Sequence, residues 1–309
     1  MQIFYTDDFP LPLPAGHRFP AEKYRLLREQ VLADRIVEPD WLIVPEAASE
    51  AMLELVHERD FVQRAMRGAL SRDEVRVLGF PWSAELVQRS LRSVGATVAA
   101  CSAALESGVS AQLAGGTHHA FAASGEGFCL FNDVAVAARW LQRAGRVERV
   151  LVIDCDVHQG NGTAAIFRHD RSVYTFSIHG ARNYPLRKQQ SDLDVELPDG
   201  TDDAAYLTAL DSGLGRALVE SRGEFAIYLA GADPYVGDRF GRLALTPSGL
   251  AARDRMVLDR LVECRMPVAV VMAGGYGRVI AETVAIQAAT IREVVAAWHR
   301  WAEQRAART

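Results

Sequence analysis

The run V-L-V-I-D-C-D-V-H-Q-G-N-G at residues 150–162 decides the fold. Four aliphatic residues lead straight into Asp154, Asp156 and His158, then into a turn carrying Gly160 and Gly162. An uncharged apolar run this short, rich in β-branched residues, reads as a strand buried on both faces, the habit of parallel sheets. Its polar tail is then the place where the strand leaves the sheet. Asp156 and His158 stand two residues apart, so an extended strand end projects both to one side.

The same pattern recurs along the chain. Residues 75–80 (V-R-V-L-G-F), 173–179, 225–233 and 267–276 also read as strands. Helices are expected between them. One covers 84–105, and another is capped by Asn132 or Asp133 and runs through Leu141 to an end near Gly145. Thr201, with Asp202 and Asp203 in the first turn, opens a third through Ala217, favoured by the helix dipole. Thr246-Pro247-Ser248 starts a fourth that reaches Cys264, and the last spans roughly 281–305. Strands alternating with helices imply an α/β fold with a mostly parallel sheet covered on both sides. No repeat or Gly/Ser linker breaks the alternation, so residues 1–309 read as one domain. The polar stretch 183–200 reads as a surface loop beside a functional face.

Charge excludes some classes of function. The 34 Lys and Arg are mixed with 39 Asp and Glu for a net charge of −5, and no basic stripe offers itself to nucleic acid. A positively charged peptide suits such a chain better than a polyphosphate. Four dispersed cysteines, with no C-x-x-C pair, point to a reducing compartment and a cytoplasmic protein. No basic-then-apolar leader and no uncharged apolar run of about 18 residues is present, so no membrane association is expected.

The strand tips carry the chemistry. Besides Asp154, Asp156 and His158, they hold Ser177 and His179, then Asp233, then Gly274-Gly275-Tyr276. Ligands of open parallel sheets sit beyond the carboxyl ends of the strands. A lone D-x-H serves as well to cap a turn; Asp233, placed alike on another strand, turns the balance toward a metal. One nitrogen and two oxygens suit Zn²⁺ with an open position for water, and Fe²⁺, Mn²⁺ or Co²⁺ are also compatible. In G-G-T-H-H-A, residues 115–120, the glycines imply a turn that presents His118 or His119 as a general base. Asp154 and Asn161 are the candidates to orient these rings. Tyr276, in A-G-G-Y-G, offers a phenol to a developing oxyanion. Ser177 is placed to meet a monovalent cation, while Cys155 and Cys129 read as packing residues.

Taken in order, A-G-H-R-F-P, G-G-T-H-H-A, G-F-C-L-F-N-D, D-C-D-V-H-Q-G-N-G, G-A-D-P-Y-V-G-D and A-G-G-Y-G resemble the zinc-dependent histone deacetylase family, part of the arginase/deacetylase superfamily. H-Q-G-N-G and G-D-R-F-G-R-L-A-L-T-P-S-G look closest to its class IV branch, and the Ala- and Arg-rich composition suggests a bacterial source. The resemblance implies a single α/β domain around an eight-stranded sheet. It implies zinc on Asp156, His158 and Asp233, with His118 and His119 beside the metal-bound water and His119 as base and acid. Asp154 would hold His118, and Asn161 would hold His119 where many relatives have aspartate. Tyr276 would stabilise the oxyanion. Gly127, Phe128, Tyr184 and Phe240 would line the tunnel for the acyl-lysine side chain. A structural K⁺ would rest on Asp154, Asp156, His158, Ser177 and Ile178, and Arg18 would lie beneath the site near product acetate.

The implied substrate is an acyl-lysine peptide or protein, because polyamine-selective relatives tend to carry an acidic residue where Phe240 stands. The rim aspartate that grips substrate backbone in many deacetylases has no counterpart here. Class IV features extend the expectation to longer acyl chains. An acetylpolyamine or other small acylated amine is the alternative. A two-manganese arginase-like hydrolase and a non-catalytic acyl-lysine reader are the other readings.

Overall fold

Alternate residues of the opening strand face opposite ways, and both ways are buried. Leu151 and Ile153 enter one apolar cluster, and Val150 and Val152 enter another on the far side. The later strands divide likewise: Ala226 and Tyr228 against Phe225, Ile227 and Leu229, then Val268 and Val270 against Ala269 and Val271. That is why these strands show no polar alternation: helices cover both faces of the sheet.

The computed structural model describes residues 1–307. Its strands are β1 (Ile3–Phe4), β2 (Leu42–Ile43), β3 (Val109–Gln112), β4 (Val150–Asp154), β5 (Val173–Gly180), β6 (Leu193–Leu197), β7 (Phe225–Leu229) and β8 (Val268–Val271). They form one eight-stranded sheet in the order β2-β1-β3-β8-β7-β4-β5-β6. Every strand pairing is parallel, so the expected "mostly parallel" sheet is parallel throughout the described residues.

The helices are α1 (Lys23–Ala33), α2 (Glu50–Leu53), α3 (Arg59–Arg67), α4 (Arg72–Leu78), α5 (Ala84–Ser107), α6 (Asp133–Arg143), α7 (Asn161–Phe167), α8 (Asp203–Ser221), α9 (Pro247–Glu263) and α10 (Ile280–Ala306). Helices α5 and α6 pack together on one face, and α1, α8, α9 and α10 on the other. Asn132, Asp202 and Thr246 cap α6, α8 and α9 by accepting the N–H of Ala135, Ala205 and Gly249.

Two expectations fail, each for a local reason. Residues 75–80 are not a strand, because Val75–Leu78 belong to α4. Ser71 and Glu74 close a reciprocal capping box at its start, and Gly79 ends it at φ 79°. The start signal S-x-x-E outweighs the β-branched pair Val75 and Val77. The stretch 183–200 is not wholly a loop. It contains β6, the outermost strand on its side of the sheet, whose ends are buried and whose middle is partly exposed. Its polarity is that of an edge strand.

Three short strands, β1 to β3, have no clear sequence signature. In β3 the polar Ser110 and Gln112 are fully buried, with Ser110 donating to the carbonyl of Gln2. Gln112 donates to Thr97 and Asp133.

Candidate active site

Four strands adjacent in the sheet, β3-β8-β7-β4, release their chains at the same edge. After β3 comes Gly115 to His119, after β8 comes Ala273 to Tyr276, after β7 comes Asp233, and after β4 come Asp156 and His158. Parallel strands make this convergence unavoidable. Although β4 ends at Asp154, and residues 155–158 turn rather than extend, Asp156 and His158 still meet Asp233.

The three side chains offer donor atoms that all lie within 4.8 Å of one another, and all three residues are buried. His158 Nδ1 is 2.9 Å from Asp156 Oδ1 and 3.2 Å from Asp233 Oδ2. The other oxygens are anchored: Gly274 N–H donates to Asp156 Oδ2 at 2.7 Å, and Val157 N–H to Asp233 Oδ1 at 2.9 Å. Asp233 Oδ2 is buried with no hydrogen-bond donor, although an orphaned carboxylate oxygen is costly inside a protein. A divalent cation fits this set: one imidazole nitrogen, two carboxylates and an oxygen otherwise unsatisfied. Burial and the charge of Asp156 push Asp233 up to about 7. Burial opposes the positive charge on His158, yet its hydrogen bond to Asp156 and the neighbouring Asp233 carboxylate carry it to about 10.

The histidine pair lies beside this cluster, in a turn. His118 Nδ1 meets Asp154 Oδ2 at 2.6 Å, and His119 Nδ1 meets Asn161 Oδ1 at 2.6 Å. The rings differ in charge. Burial disfavours a charge on His118, but Asp154 and Asp156 raise it to about 9. Burial, then the charges of His118 and His158, hold His119 well below its ordinary value, so it is the neutral ring.

Three residues outside the predicted set hold this arrangement. Asp133, first residue of α6 and fully buried, accepts from Gly116 N–H at 2.9 Å and from the N–H and hydroxyl of Thr117 at 2.7 Å. It thereby fixes the turn that carries both histidines. Gly116 is required there at φ 77°, since a Cβ would lie 2.7 Å from the Ala273 Cα. Glu126 accepts from Asn161 Nδ2 at 3.1 Å and from the Tyr184 hydroxyl. Asp238, also buried, accepts the Tyr276 N–H at 2.6 Å and those of Phe240 and Gly241. Asp133 had a visible signal as a helix cap and Asp238 as the acid of G-D-R-F-G; Glu126 had only its place before Gly127.

Gly127, Phe128, Tyr184 and Phe240 do line one cleft with His119, His158 and Tyr276, about 640 Å³ in volume. Gly127 packs so closely that a Cβ would sit 2.7 Å from His119 Cδ2. Tyr184 stands edge-on to His119 with centroids 5.0 Å apart, and Phe240 lies 5.1 Å from Tyr276. Burial, with the charges of Asp156 and Asp233, pushes the Tyr276 phenol well above its usual value, so it remains a donor. Asp154 and Ser177 are direct partners across β4 and β5, and Ser177 Oγ bonds His179 Nδ1 at 2.8 Å.

Arg18 is placed otherwise than expected. It is exposed and lines the outer cleft, and it is absent from the inner chamber bounded by Phe19, Tyr24, His118 and Tyr276. Two buried cations lie behind the site: Lys23, whose Nζ donates to Gly275 O at 3.2 Å, and Arg89, stacked over Tyr24; a third, Arg253, reaches it from α9.

A candidate metal site at a parallel-sheet edge is thus in place, and comparison with known proteins gives its lineage. Residues 17–291 match the histone deacetylase domain family, and the chain belongs to that family. It is 45% identical over 282 residues to an uncharacterized protein of Picosynechococcus, covering 91% of this chain and 94% of that one. It is 31% identical over 301 residues to Histone deacetylase 2 of Arabidopsis thaliana, covering 92% of this chain and 78% of the relative. The crystal structure of a histone deacetylase homologue complexed with SAHA superposes with a TM-score of 0.81 at 22% identity, covering 96% of this chain and 84% of that one.

Proposed function

We propose that this hydrolase of the histone deacetylase family removes acyl groups, acetyl or longer, from lysine side chains with the aid of zinc. The observation that carries the reading is His119: a buried neutral imidazole, fixed by Asn161, beside three convergent metal donors and facing the same cleft as Tyr276. Zinc held by Asp156, His158 and Asp233 would supply Lewis acidity to the scissile carbonyl and acidity to a water. His119 accepts the water proton at Nε2, since Nδ1–H is committed to Asn161. Tyr276 donates its hydroxyl to the oxyanion as the carbonyl becomes tetrahedral. His119 or its charged neighbour His118 then returns a proton to the departing amine. Gly127, Phe128 and Tyr184 wall the tunnel that keeps the acyl-lysine stem out of water.

The reading extends to the periphery. A potassium ion beside Asp154, Asp156, His158, Ser177 and Ile178 is supported by the register that sets Asp154 against Ser177. A cytoplasmic setting is supported by four free cysteines, and no helix among the described residues is long and apolar enough to cross a membrane. A panel of fluorogenic acyl-lysine peptides, acetyl through myristoyl, tests the central reading with and without a zinc chelator. Chelator-sensitive turnover is expected, and the best chain length fixes the acyl group. Turnover confined to acetylpolyamines or other small amides would replace lysine as the substrate. Acetyl-lysine bound without turnover by zinc-replete protein would make the chain a reader.

A further inference from the structure

The mouth of the cleft has a charge opposite to that of the whole chain. Arg18, Arg182, Arg239 and Arg242 line it, and no aspartate or glutamate does. All four are exposed, in a protein of net charge −5. Among the described residues Arg18, Arg182 and Arg239 have no ion-pair partner, and Arg242 approaches only Asp199, at 3.4 Å with its own side chain 57% exposed. The carboxylates next in sequence to Gly127 and Arg239, two lining residues, are engaged elsewhere. Asp238 is occupied by three backbone N–H groups, and Glu126 by Asn161 and Tyr184.

Single exposed arginines are common and mean little. These four come from three separated stretches of sequence, and they converge on the opening that leads to His119 and His158. The fold therefore assembles this charge where the part of a substrate outside the tunnel must rest. A guanidinium matches a carboxylate through paired N–H donors. A polyammonium chain, or a peptide rich in lysine and arginine, would meet like charge on every side.

Resting on the deacylase reading, we infer that the substrate carries carboxylates next to the acylated amine, and that Arg18, Arg182, Arg239 and Arg242 select for them. The carboxylates come either from acidic residues flanking an acyl-lysine in a protein or from the α-carboxylate of a free acyl-amino acid. This local preference is opposite in sign to what the net charge of −5 alone suggests, that a positively charged peptide suits the chain better than a polyphosphate.

The test uses zinc-loaded full-length protein and acyl-lysine peptides of one length flanked by Glu, Gln or Lys. Free Nε-acyl-lysine, with its carboxylate ionised or amidated, forms the second arm. The kcat/KM should fall from the Glu to the Lys peptide by about tenfold at about 0.02 M salt, and the gap should close at about 0.5 M salt. It should also close in an Arg182→Gln/Arg239→Gln variant. A charge effect confined to the peptides assigns the carboxylates to neighbouring residues, and one confined to the free amino acid assigns a small acid. Equal rates in both arms, or a preference for Lys, overturns the inference while leaving the deacylase reading intact. If no compound turns over, that reading fails instead. Fluorescence anisotropy of labelled Glu and Lys peptides then decides on the mouth alone: tighter binding of the Glu peptide supports it, and equal binding overturns it.

Discussion

At His119 a single hydrogen bond decides which ring nitrogen faces the reaction. Asn161 presents Oδ1 to Nδ1, and that orientation is enforced because the amide nitrogen is committed to Glu126. A flipped amide would set a donor against Nδ1, favour the other tautomer and remove the base from the cleft. Glu126→Ala should therefore lower kcat by about 10- to 100-fold, the usual cost of losing a residue that orients a catalytic group. Glu126→Gln, which keeps an acceptor, should retain most of the rate; steady-state kinetics on one good substrate separates the two. Tyr276→Phe should reduce kcat by about 10²–10³ with little change in KM, as expected for a donor used on the oxyanion, and undiminished turnover would remove that role. His119, Asn161 and Tyr276 were legible because each lies in a short ordered motif. Glu126 was not, since its partners are 35 and 58 residues away in sequence.

Among the elements, α9 bears on the loops of Asp156, His158 and Asp233 from behind. Its Arg253, fully buried, donates to the carbonyls of Cys155 and Gly231, one in each loop that carries the proposed metal donors. Asp254 balances that charge at 2.8 Å and is itself bound by the hydroxyls of Tyr228 and Thr290. Arg253→Met leaves Asp254 charged and unpaired in the interior, and should cost about 3–5 kcal/mol in urea unfolding. A loss under 1 kcal/mol (roughly the value of a surface pair) would show that the clamp carries little. The helix itself was readable from T-P-S at its start. Its role was not, because a charged pair in an amphipathic helix ordinarily faces water. The misread segment 75–80 teaches the converse: composition suggested a strand, while the capping box and the left-handed Gly79 fixed a helix.

At the scale of the molecule, β4, β5, β7 and β8 announce themselves by apolar runs, and their order places every strand-tip residue at one edge. The short strands β1 to β3 and the polar edge strand β6 lack such runs, so sheet order was not legible. Nor was the arginine-lined mouth, which only folding assembles. Three stretches of chain also meet at His57, whose Nδ1–H donates to Phe121 O at 3.0 Å while Nε2 accepts from Asn132 N–H at 2.9 Å. Burial, opposed only by its backbone contacts, lowers this histidine from 6.5 to about 4. The folded state thus prefers the neutral ring, and the unfolded chain binds more protons between those values. The contribution of His57 is complete above pH 6.5 and is lost as pH falls toward 4, about 3 kcal/mol in all. Unfolding free energies at successive pH values should decline over that window, and less steeply in His57→Leu. Parallel pH profiles would show that His57 does not set the acid limit.

The most direct measurement is a zinc titration of chelated protein, with acyl-lysine hydrolysis followed at each addition. One site formed by Asp156, His158 and Asp233 predicts that activity rises from near zero and saturates at one ion per chain. Activity that survives removal of the metal, or that saturates only at two ions per chain, would contradict it.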